Sequence, residues 1–200
     1  MKMSLGFSNV TVKTGGDILP IVKYDAKAGD FIRVDRHQVA DGSWDKTETE
    51  LALPLTLHMD FANIEVGWLS FANGAPDFAM VKIGQPLPDK PTPDHKQAFR
   101  LRIWSEELGL REFSGSSKTL LRVVDALHDD YMSSDKREGD HVVKVEATGT
   151  ETVKVNTPQG ELRFKAPQFE ISDIVARPAG MSGNAEPSAP APVSSDEALF

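Results

Sequence analysis

Along most of the chain, hydrophobic and polar residues alternate over short stretches, the two-residue period of a strand with one covered face. Such stretches predict strands over residues 19–24, 30–39, 55–61, 64–72, 78–83, 97–104, 110–113, 141–148, 151–156, 161–165 and 169–175. Turn signals separate several of them, among them Ala28-Gly29-Asp30, Ala72-Asn73-Gly74, Glu138-Gly139-Asp140 and Pro158-Gln159-Gly160. The last of these predicts a hairpin. Residues 84–94 (GQPLPDKPTPD) hold Pro86, Pro88, Pro91 and Pro93. They read as an exposed connecting loop, because proline supplies no ladder donor.

One segment follows a different period. Leu120, Val124, Leu127 and Tyr131 recur at helical spacing, with Leu121 and Val123 widening the stripe, after a Ser114-Gly115-Ser116-Ser117 start that offers capping hydroxyls. This predicts one α-helix over about 117–131, its apolar stripe closing the core. Asp129 and Asp130 oppose the helix dipole and mark its end. Strands, one helix, then more strands predict a mainly β fold: an OB-like Greek-key barrel with additional hairpins. A β-sandwich carrying one helix is the other architecture that this order allows.

Composition changes the picture at the end of the chain. Residues 178–200 contain no Lys or Arg, carry Glu186, Asp196 and Glu197, and are rich in Pro, Ala, Ser and Gly. Too little apolar mass is present to offset chain entropy, so this stretch is expected to be a disordered acidic tail following a single domain over 1–177. An acidic, flexible segment with apolar Leu199 and aromatic Phe200 suits a basic groove or a partner's apolar pocket flanked by cations.

The chain has no Cys, which removes disulfides, thiolate catalysis and Cys-based zinc sites. No stretch of about 18 apolar residues predicts a membrane span, and the first residues lack the apolar run of a signal peptide. The expectation is a cytoplasmic protein. Net charge is −8, but it is unevenly spread. Between residues 96 and 122, Lys96, Arg100, Arg102, Arg111, Lys118 and Arg122 outnumber Glu106, Glu107 and Glu112. A locally basic surface on an acidic protein follows.

The candidate chemistry is binding. In the 97–104 strand, Phe99, Leu101 and Ile103 alternate with Arg100, Arg102 and Trp104, so the second set shares the outward face. Guanidinium groups neutralise phosphates and an indole stacks bases of any sequence, as single-stranded nucleic acid requires. The next strand extends this face if Arg111 and Phe113 lie outward with Leu108 and Leu110 opposite, and Lys118 follows. Trp44, in the polar stretch Asp41-Gly42-Ser43-Trp44-Asp45-Lys46, reads as a loop indole able to stack a base. Trp68 reads as core.

Little points to catalysis or to a metal. The segment Gly115-Ser116-Ser117-Lys118-Thr119 lacks the glycines of a phosphate-binding loop, with Ser117 and Glu112 standing where they are required. Pro88-Asp89 and Asp94-His95-Lys96 resemble a nuclease metal motif only faintly, within a proline loop. His37, His58, His95, His128 and His141 show no ligand spacing. No enzyme activity, metal or cofactor is expected.

The strand order together with the tail residues Ser194, Ser195, Asp196, Glu197, Ala198, Leu199 and Phe200 resembles bacteriophage-type single-stranded DNA-binding proteins. The segment 166–178 (APQFEISDIVARP) is similar to the closing strand of such proteins. The resemblance implies an OB-fold core that coats exposed single-stranded DNA in replication, recombination or repair, in the host cytoplasm if phage-encoded. Arg100, Arg102, Trp104, Arg111, Phe113, Lys118 and Trp44 would then bind the strand. Asp196, Glu197, Leu199 and Phe200 would compete with DNA and recruit replication or recombination proteins. The alternative is a β-rich phage structural or assembly protein acting through protein–protein contacts.

Overall fold

The computed structural model describes residues 19–182, apart from 41, 43, 73–75 and 159. It is mainly β. Ten strands run in chain order as β1 (Ile21–Asp25), β2 (Asp30–Gln38), β3 (Trp44–Leu51), β4 (Leu55–Met59), β5 (Glu65–Ser70), β6 (Asp77–Lys82), β7 (Lys96–Ser105), β8 (Gly109–Gly115), β9 (His141–Thr157) and β10 (Gly160–Ala176). Helix α1 (Lys118–Met132) lies between β8 and β9, and a one-turn helix α2 (Ala179–Ser182) follows β10.

All ten strands belong to one mixed sheet, ordered β10-β9-β4-β7-β8-β1-β2-β3, with the β5–β6 hairpin joined to β7. The hydrogen-bonded path has two ends, so the sheet is not closed. Its pairings are antiparallel except for β1 alongside β8. Strand β4 lies between β7 and β9, although its neighbours in sequence are β3 and β5. Across the gap between the β1–β2 turn and β10, Lys165 N donates to Ala26 O at 2.7 Å and the Phe31 and Phe169 rings meet edge-on at 5.7 Å.

Alternation explains the core. Leu55, Leu57 and Met59 of β4, Phe99, Leu101 and Ile103 of β7, and Val143, Val145 and Ala147 of β9 all turn inward. Helix α1 closes this core with Leu120, Val124, Leu127 and Tyr131, the stripe that its sequence spacing predicts. Ser117 caps the helix by accepting from Leu120 N, which satisfies one of the donors that a helix start leaves over. Burial of each large side chain contributes roughly 1.5–3 kcal/mol.

Strands β3, β9 and β10 depart from the sequence reading, β9 by running unbroken over the stretches read as 141–148 and 151–156. Strand β3 carries Lys46, Glu48 and Glu50 on one face and Asp45, Thr47 and Thr49 on the other, and has no apolar stripe to announce it. It forms because β2 offers a free edge, pairing from Phe31↔Leu51 to Gln38↔Trp44. Strand β10 runs unbroken through Pro167, where the sequence suggests a stop. Proline is tolerated there because β10 is an edge strand whose partner lies on one side only. The fold also continues past Pro178: α2 buries Met181 against Leu110 and Val142. The tail residues Asp196, Glu197, Leu199 and Phe200 lie outside the described residues.

Candidate nucleic-acid interface

Strand register decides which candidate residues share a surface. Directly opposed residues of an antiparallel pair point the same way. In the β7–β8 pair, Arg100 opposes Ser114, Arg102 opposes Glu112 and Trp104 opposes Leu110, all on the face away from the core. Leu101 opposes Phe113 and Ile103 opposes Arg111 on the inner face. The outward placing of Arg100, Arg102 and Trp104 therefore holds.

Phe113 and Arg111 are corrected. Phe113 is 0% exposed, packed against Phe31 and Phe99, and cannot stack a base. Arg111 is buried: its Nε donates to Leu108 O at 2.8 Å and its Nη2 lies 2.7 Å from Asp35 Oδ1. Asp35 also accepts from Arg33 Nε. Burial pushes the Asp35 carboxyl upward, but the hydrogen bonds from Arg33 and Arg111 outweigh it and hold the group below its ordinary range. The physical reason is the odd spacing of Leu110 and Phe113, which places two apolar residues on opposite faces. The larger ring takes the core, and Leu110 is instead covered by Met181 and Leu19.

Trp104 lies outward but half-buried. Its ring sits 5.2 Å from that of His58, and a Cβ added at Gly180 would come within 2.3 Å of its Nε1. Helix α2 thus covers the indole that the sequence offers as an open stacking platform. Burial also lowers the pKa of His58. Lys118 opens α1 and is exposed, just beyond Ser114 and Gly115 at the end of β8. Trp44 is the first residue of β3, not a loop residue, and pairs with Gln38 at the far edge of the sheet. Strands β1 and β2 separate it from β8.

Three residues that the sequence reading passes over complete the face. Arg100 Nε donates to Glu65 Oε2 at 2.7 Å, and its Nη2 makes a second contact with the same carboxylate. Its Nη1 lies 3.8 Å from Glu112 Oε2, and its guanidinium sits 5.1 Å from the centre of the Phe78 ring. Glu65 is brought there by the pairing of β5 with β7, directly opposite Arg100. Its place is hidden by sequence distance. Glu112 could have been found by taking Phe113 as the core anchor of β8. Arg102 is exposed and makes no ion pair or side-chain hydrogen bond among the described residues.

Among the described residues, no group of three or more His, Asp or Glu could hold a metal ion, and no helix is long and apolar enough to cross a membrane. No protein family, curated protein or solved structure matches this chain.

Proposed function

We propose that this chain binds single-stranded DNA on the outer face of β7 and β8, through Arg100 and Arg102 with Lys118 at the end of β8. The observation that carries the reading is the strand order. The order β4, β7, β8, helix α1, β9, β10, with β4 paired to both β7 and β9, supports an OB-type Greek-key reading of this part of the open sheet. In that architecture the face of the second and third strands takes oligonucleotides, and on this reading those strands are β7 and β8. Arg102 supplies an exposed guanidinium without a partner among the described residues, suited to a phosphate.

No reaction, metal or cofactor enters this function. The protein coats exposed strands in replication, recombination or repair in the cytoplasm. Asp196, Glu197, Leu199 and Phe200 recruit protein partners and compete with DNA. That role is supported by α2, which brings the chain across Trp104 and Leu110 of the same face before residue 183.

Anisotropy of a labelled dT oligomer tests the reading. Binding is expected at low salt and falls steeply as salt rises, because each neutralised phosphate releases counterions. Arg102→Ala lowers affinity about three- to tenfold, while deleting residues 196–200 raises it. Absence of binding at low salt would overturn the proposal.

A second reading is favoured by one observation. The far half of the β9–β10 ribbon exposes Val155 and Leu162, a directly opposed apolar pair, at 39% and 49%. Such a patch suits a protein interface of a structural or assembly module. Stable oligomers by size-exclusion chromatography, unchanged by oligonucleotide, would support that alternative.

A further inference from the structure

The following rests on the nucleic-acid reading of the β7–β8 face. That face contains its own competitor for the arginines. Arg100 is flanked by Glu65 and Glu112, and Arg102 stands directly opposite Glu112. We propose that Glu112 is an acidic gate on this surface: ionised, it occupies the free side of Arg100 and repels a phosphodiester from Arg102; protonated, it frees Nη1 of Arg100 and no longer repels a phosphodiester from Arg102.

The geometry singles out Glu112 over Glu65. Glu65 engages Nε and Nη2 of Arg100 and so fixes the guanidinium in place over Phe78. Nη1 is the nitrogen left over, and Glu112 is the carboxylate beside it at 3.8 Å. At that distance the pair is an electrostatic contact without hydrogen-bond geometry, which an incoming phosphate oxygen can replace.

The groups facing Glu112 can be named from each neighbouring strand. Strand β7 brings Arg100 and Arg102, β5 brings Glu65, and β1 brings the uncharged Ile21 directly alongside. Further along β1, Lys23 is held by Glu48 at 2.8 Å. With its side chain 21% exposed, Glu112 has little water to stabilise its charge. Burial raises its pKa; Arg100 opposes that rise, and Glu65 adds to it. A bound phosphate adds more negative charge and pushes the same way. DNA binding therefore takes up a proton here, and by linkage affinity rises as pH falls through the titration of Glu112.

The test uses the full-length chain and a rhodamine-labelled dT oligomer at low salt, from about pH 8 down to about pH 4.5, the ordinary glutamate range. Wild type is expected to bind about three- to tenfold more tightly at the lower pH. Glu112→Gln should bind at the higher pH nearly as tightly as wild type does at the lower, with a flattened pH profile. Glu112→Asp keeps a titrating carboxylate and should retain a pH slope. Glu138→Gln removes one negative charge away from this face and should keep the wild-type profile, which separates the gate from a general charge effect. Binding with a pH profile unchanged in Glu112→Gln would overturn the gate while leaving the DNA-binding reading intact. A loss of pH slope in Glu138→Gln equal to that in Glu112→Gln would also overturn it. No binding by any variant at either pH would overturn the reading of the face itself.

Discussion

Glu112 and Phe113 are adjacent in sequence and point to opposite sides of the same strand. One touches the surface salt bridges of Arg100, and the other fills the core against Leu101, Phe31 and Phe99. Phe113→Ala should destabilise the fold by about 3–5 kcal/mol, the cost of a large cavity in a packed interior, as measured by urea denaturation. The more conservative Phe113→Leu should stay folded and bind the dT oligomer as wild type does, since no part of that ring reaches the surface. A loss of affinity in a folded Phe113→Leu protein would count against the inward assignment. At this scale the sequence was only half legible. Alternation places Arg100 and Arg102 correctly because Phe99, Leu101 and Ile103 form an unbroken apolar set. In β8 the apolar residues Leu110 and Phe113 fall on different faces, so composition alone left the strand's orientation open.

Elements were legible wherever one face is apolar. The helix is the clearest case: four buried residues at helical spacing, preceded by a capping serine, specify its length and the side it presents. Ser117→Ala should cost about 1 kcal/mol in a denaturation experiment, because Leu120 N loses its acceptor. An unchanged midpoint would show that another group satisfies that donor. Strand β3 shows the converse. Its residues contribute no buried apolar face, so its existence depends on the edge that β2 offers. Helix α2 is too short to carry a periodic signal. It is held by Met181 in an apolar cluster and by the close fit of Gly180 on Trp104.

Across the whole molecule, contacts between distant parts of the chain tie the end of β10 to the segments that follow β4 and precede β9. Arg177, just past β10, donates through Nη1 and Nη2 to both oxygens of Asp60 at 2.8 and 3.1 Å, and through Nε to Asp140 at 2.6 Å. Asn63 Nδ2 donates to the same Asp60 carboxylate. Arg177→Leu leaves the buried Asp60 charge without its cation and should cost about 3–5 kcal/mol by urea denaturation, with Asp60→Asn/Arg177→Leu recovering part of the loss. A loss in the double variant equal to or larger than that in Arg177→Leu would show that the buried charge is not the source. Nothing near Asp60 in sequence announces this partner, which lies 117 residues away. By itself the sequence determined the mainly β character, the helix and its buried stripe, and the outward set Arg100, Arg102 and Trp104. All are local periodicities, written in the spacing of neighbouring residues. Only the tertiary structure decided that Phe113 faces inward, that Asp35 holds Arg111, that Glu112 stands beside Arg100 and that α2 covers Trp104. Those outcomes depend on register between strands far apart in the chain, where a one-residue slip exchanges the two faces.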